Sequence, residues 1–153
     1  MYKRILVAID GSETSNLGLL HAIQLAKDQQ GQLRLVHVVD QVYVDAETAT
    51  AMVEFWNAQR QSGEALLQEA RSLASKAGIE PETTLLEIEK LGQRIADMIV
   101  DEAKRWPADL IVIGTHGRRG LSHVFLGSVA EGVVRISTTP VLLIRGEGKP
   151  KHP

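Results

Sequence analysis

The chain has 153 residues, enough for one domain with a sizeable core, and 44% hydrophobic with 24% charged residues is not a disordered composition. Its net charge of −2, from 17 basic and 19 acidic residues, lacks the basic excess of a nucleic-acid binder. Cysteine is absent, which excludes disulfides, thiolate metal sites and a cysteine nucleophile, and the first apolar run is too short for a signal peptide or membrane span; a soluble cytoplasmic protein without membrane insertion is expected.

Ile5 to Ile9 is an unbroken apolar run, as in a strand buried on both faces. Asp10-Gly11-Ser12 ends it with turn chemistry, and Ser12 or Ser15 can cap the helix marked by Leu19, Ala22, Ile23 and Ala26. Gly31 is the expected residue just past that helix. Leu33 to Val39 is a second strand. The segment 40–63 is the least regular, and a helix becomes clear only through Leu66, Ala70, Leu73, Ala74 and Ala77, stopped by Gly78.

Thr83 to Ile88 is a third strand. Ile95, Ile99 and Ala103 mark a third helix, ended by Trp106-Pro107. Leu110 to Ile113 is the fourth strand. Val129, Val133 and Ile136 mark the fourth helix, broken by Thr139-Pro140, and Val141 to Ile144 is the fifth strand. Residues 1–146 read as a single nucleotide-binding domain, and 147–153 as a flexible tail.

This alternation predicts an α/β fold: an open, doubly wound parallel sheet with helices on both faces. Ligands bind such sheets at the carboxyl ends of strands, where strand order reverses. With the order 3-2-1-4-5, the reversal lies between the strands that end at Asp10 and Gly114.

The most informative stretch runs from Ile111 to Val129. An apolar run ends in Gly114, Gly117 and Gly120 follow, and Gly127-Ser128 opens a new helix. Glycines let backbone N–H groups approach a ligand, and a helix start presents unpaired donors at the positive end of its dipole. Together they predict a phosphate site and nucleotide binding. No Lys precedes Ser128, so this is not a Walker loop, and the dinucleotide fingerprint is absent.

Gly114-x-x-Gly117, nine residues and then Gly127-Ser128 resemble the phosphate signature of the universal stress protein family in its ATP-binding branch. Ile5 to Ser12, His37-Val38, Ala108 to Gly114 and Thr139 to Ile144 are also similar, so the resemblance covers roughly residues 2 to 145. It implies five parallel strands in the order 3-2-1-4-5 and ATP bound across strands 1, 2 and 4. In many members a divalent ion, Mg²⁺ or Mn²⁺, accompanies the phosphates.

Carried over residue by residue, the resemblance gives Asp10 a contact to the ribose, with the metal as a second candidate partner. It gives the Val38 backbone a contact to adenine. Gly114, Gly117, Gly127, Ser128 and Val129 would hold the phosphates. Ala8 and Ile9, at the end of strand 1, complete the nucleotide-binding candidates.

The plainer readings are local. Asp10 can be a turn-former and Ser128 a helix cap. Arg118 is a candidate for pairing with a phosphate or an acidic partner, whereas Arg119 reads as a solvated charge. His116 and His123 read as solvated or locally hydrogen-bonded, and His21 and His37 as structural. The segment 43–56 carries Tyr43, Phe55 and Trp56. It is either a partly ordered helix packed on the domain or a lid or docking surface at the end of strand 2.

With this strand order, strands 3 and 5 are the edges. Glu82, Glu87 and Glu89 guard strand 3, whereas Val141 to Ile144 carries no charge before Arg145. A homodimer through strand 140–145 is expected, as the resemblance also implies. The functional expectation is an ATP-binding stress-response protein acting as a nucleotide-dependent switch or adaptor. The alternatives are a slow ATPase or phosphotransferase on the same site, and a dimeric interaction protein without a nucleotide role.

Overall fold

The computed structural model describes residues 1–40, 46–116 and 126–146, with 46–51 as backbone only. Five strands, β1 (Arg4–Ala8), β2 (Gln32–Asp40), β3 (Glu82–Ile88), β4 (Leu110–Gly114) and β5 (Val141–Ile144), alternate with four helices. The helices are α1 (Glu13–Gln29), α2 (Ala46–Lys76), α3 (Ile95–Arg105) and α4 (Ser128–Ile136). The strands form one parallel sheet in the order β3-β2-β1-β4-β5. Val7 of β1 faces Leu35 on one side and Val112 on the other.

Side chains alternate across a strand, so β1 feeds two cores. Ile5 and Val7 pack with Leu19, Ala22 and Ile23 of α1 and with Leu67, Ala70 and Ala74 of α2. Leu6 points the other way, into a core with Ile99, Val100 and Ala103 of α3 and Ala130 and Val133 of α4. Both faces of the sheet are covered, which is why its inner strands read as continuous apolar runs rather than as alternating ones. Among the described residues no helix is long and apolar enough to cross a membrane.

At the ends of α1 one open alternative is decided and one expectation is corrected. Ser12, not Ser15, caps α1: its Oγ accepts from the Ser15 N–H at 3.2 Å. At the other end Gln30, not Gly31, takes the left-handed conformation (φ 52°), and the Gly31 N–H closes the turn by donating to Ala26 O at 2.8 Å. Gly31 relieves crowding instead, since a Cβ there would come 3.0 Å from Tyr2 O and 3.1 Å from Lys3 O.

The larger correction concerns 40–63. From Ala46 this segment is not irregular but the first half of α2, a helix of 31 residues. Its apolar period is missing because Val53 and Phe55 are exposed and are not buried on the sheet. Residues 41–45, including Tyr43, and the 147–153 tail lie outside the described residues.

Candidate functional site

The strand order reverses between β1 and β4, and the carboxyl ends of β1, β2 and β4 open there into a cleft of about 820 Å³. Gly11 (φ 81°) makes the left-handed turn that carries the chain from β1 into α1. Asp10 stands before that turn. Its Oδ1 accepts from the Ser12 N–H at 2.8 Å, and its own N–H donates to Ser15 Oγ at 3.0 Å. The turn-forming role of Asp10 therefore coexists with its place in the cleft wall.

Of the sequence-predicted residues, Ala8, Ile9, Asp10, Val38, Gly114, Gly127, Ser128 and Val129 all line this one cleft. Gly117 and Arg118 lie outside the described residues, as do Arg119, Gly120 and His123. His21 is exposed on α1, away from the lining.

Gly127 is the residue before α4, in extended conformation, and its N–H donates to Thr115 O at 2.6 Å. This bond ties the start of α4 to the exit of β4. The first bond back into the helix is from the Glu131 N–H to Gly127 O at 2.9 Å, so Ser128, Val129 and Ala130 occupy the first turn, whose N–H groups have no intrahelical acceptor. Those donors and the positive end of the helix dipole sit at the lip of the cleft.

Gly114 has a second duty that the sequence does not announce. A Cβ at this position would come 2.8 Å from both the backbone carbon and the Cβ of Thr14, so the absent side chain lets α1 close onto β4. Thr14 and Ser12 then reach across the gap, their hydroxyls donating to His116 O. The α1 start and the β4 exit are thus locked together beneath the cleft.

Two histidines stand in the wall. His37 Nδ1 lies 2.6 Å from Ile9 O, which fixes Nδ1 as the protonated nitrogen when the ring is neutral. His116 Nδ1 is 2.9 Å from Thr115 Oγ1, the local bonding its sequence position suggests. Phe55 and Gln59 of α2 also line the cleft, and sequence reasoning missed Gln59 altogether. Their spacing of one helical turn is the signal that could have found them as a pair.

Among the described lining residues the carboxylates are Asp10 and Asp40, and there is no Lys or Arg. No group of three or more His, Cys, Asp or Glu among the described residues is arranged to hold a metal. What the described residues offer an anion here is backbone donors and a helix end.

The sequence model of the universal stress protein family matches residues 1–145. Universal stress protein YxiE of Bacillus subtilis is 35% identical over 95% of this chain and 100% of its own length. The universal stress protein of Archaeoglobus fulgidus solved in complex with dAMP is 28% identical, with a TM-score of 0.66 over 94% of this chain and 98% of that one. A universal stress protein solved in complex with cAMP is 27% identical, with a TM-score of 0.69 over 94% of this chain and 97% of its own. Fold and sequence agree: the chain belongs to the universal stress protein family.

Proposed function

We propose that this chain binds ATP in the cleft between β1, β2 and β4 and works as a nucleotide-dependent switch or adaptor in the stress response of the cytoplasm. The observation that carries this reading is the meeting of Asp10, the exit of β4 at Gly114 and the N-terminus of α4 in one cavity. A cavity of about 820 Å³ is within the roughly 300–1,000 Å³ of small-molecule sites. Gly127 carries no side chain at the lip of the cleft, so a phosphate oxygen can approach the first turn of α4. Relatives solved with dAMP and cAMP support an adenine nucleotide as the ligand.

In this reading Asp10 faces the ribose, the Val38 backbone faces the base, and Gly127, Ser128 and Val129 hold phosphate oxygens, with Gly117 and Arg118 as further phosphate contacts. A divalent ion brought with ATP would be bound chiefly by phosphate oxygens and water, as Mg²⁺ usually is, with Asp10 the nearest protein carboxylate of the β1 end. The working unit is a homodimer paired along β5, the uncharged edge of the sheet.

Calorimetry with ATP tests the site. Gly127→Val would put a branched side chain over the α4 start, and ATP binding should be lost while the circular dichroism melt stays cooperative. Equal ATP affinity in wild type and Gly127→Val removes this reading.

A further inference from the structure

Helix α2 is longer than the sheet it packs on. At ~1.5 Å per residue its 31 residues run roughly 46 Å, whereas the nine residues of β2 span roughly 30 Å. Its buried residues Leu67, Ala70 and Ala74 belong to the C-terminal half. Gly63 marks where helix and sheet meet, since a Cβ there would come 2.7 Å from His37 Cδ2 and 2.9 Å from Leu85 Cδ1. One turn earlier, Arg60 pairs with Glu87 near the carboxyl end of β3. Before that pair, α2 offers side chains to the cleft instead of to the sheet. Phe55 and Gln59 project there on one face of the helix, beside His37, Val38 and Asp40 of β2.

Phe55 is 51% exposed although it lines a concave site. A half-wet aromatic ring at the mouth of a cavity is a surface that a flat ligand can cover. Gln59 brings one carbonyl acceptor and an amide donor to the same wall, a pattern that matches the adjacent donor and acceptor on the edge of adenine. This wall lies at β2, whereas the α4 start lies beyond β4, and β1 separates the two strands by roughly 10 Å in total. A ligand with a planar base at one end and anionic groups at the other fits that separation.

We propose that Phe55 and Gln59 form the base-recognising wall of the cleft: Phe55 covers one face of a purine ring and Gln59 hydrogen-bonds its edge. The proposal rests on the reading of the cleft as an adenine-nucleotide site. It assigns base selection to α2, outside the glycine-serine phosphate motif.

The test is calorimetry of wild type, Phe55→Ala, Phe55→Trp and Gln59→Ala against ATP, GTP and inorganic tripolyphosphate. Loss of base stacking costs roughly 5- to 150-fold in affinity, so Phe55→Ala should weaken ATP about ten-fold or more. Phe55→Trp should keep wild-type affinity, tripolyphosphate should bind wild type and Phe55→Ala alike, and Gln59→Ala should narrow the preference for ATP over GTP. If wild type binds ATP and Phe55→Ala binds it as tightly, the α2 wall is refuted while the nucleotide site stands. If Phe55→Ala weakens ATP and tripolyphosphate equally, Phe55 is a structural residue and the wall is again refuted. If wild type binds no ATP, both the site and the wall fall.

Discussion

Arg34 places Nη1 2.6 Å from Oε1 of Glu102, joining β2 to α3 at the amino end of the sheet, away from the cleft. Glu102 is 2% exposed, and its other oxygen has Arg105 Nη1 3.4 Å away. The same Arg34 guanidinium donates from Nε to Glu82 at 3.0 Å and stands 4.9 Å from the centre of the Trp106 ring. One cation therefore ties together two strands and a helix end.

Removing that cation leaves a buried carboxylate with a distant partner. Arg34→Met should cost about 2–4 kcal/mol, since breaking a buried pair strands a charge. For a chain of this size that is a melting point lower by roughly 5–15 °C. The double variant Arg34→Met/Glu102→Leu should be milder than Arg34→Met alone, because no charge is stranded. Thermal melts that show simple additivity would rule out the coupling.

Gly114→Ala should destabilise the fold by about 1–3 kcal/mol, because the new methyl must push α1 off β4. Thr14→Ala should not rescue it, since the backbone carbon and Cβ of residue 14 remain 2.8 Å from the new atom. Denaturant melts of the single and double variants check this. An unchanged midpoint for Gly114→Ala, or full rescue, would refute the packing role.

Asp97 accepts from the Arg94 N–H at 2.9 Å, and this backbone bond, more than the Arg94 side chain, holds its pKa below the ordinary carboxylate value. A folded pKa below the unfolded one stabilises the fold above the unfolded value of 3.8, and that contribution is lost as pH falls through the lowered folded pKa. NMR titration should find Asp97 low, and Arg94→Ala should move it only part of the way back, because the backbone N–H persists. A complete return to the ordinary value in Arg94→Ala would show that the side chain, not the backbone, is the main cause.

Nucleotide turnover should lie far below the ~1–100 s⁻¹ of kinases, with either Mg²⁺ or Mn²⁺ present. Fast phosphoryl transfer needs charge neutralised at the transferred group and an oriented nucleophile, and the described lining offers no Lys or Arg. A rate inside the kinase range that disappears in Asp10→Ala would make this an enzyme.

Leu143→Lys should weaken self-association at least ten-fold, since it sets a charge on the middle of the proposed paired edge and repeats it across the two-fold axis. Sedimentation measures it. A wild-type monomer at micromolar concentration, or a variant dimer as tight as wild type, would overturn the interface.

Much of this was legible in the residues because burial writes itself into them. β1 and β4 are covered on both faces and read as solid apolar runs, while Asp10-Gly11 and Gly127-Ser128 mark the ends that meet in the cleft. What stayed hidden was whatever periodicity does not report. The first half of α2 buries no continuous stripe on the sheet, so only the one-turn spacing of Phe55 and Gln59 marks them as neighbours on a helix. The demand for glycine at 114 comes from Thr14, a hundred residues away in sequence, and only the folded chain brings the two together. Glu102 sits on an otherwise apolar helix face, and nothing local names Arg34 as its partner.

The overhang of α2 gives the fold a mechanical property. The helix is clamped at Gly63 and at the Arg60–Glu87 pair, and residues 46 to 62 continue from that clamp as one unbroken rod. That stretch is roughly 25 Å of helix, so a tilt of about 5° at the clamp swings its far end by roughly 2 Å. Phe55 stands about halfway out, roughly 12 Å from Gly63, so any tilt that moved its ring by about 1 Å would move the tip by about twice as much.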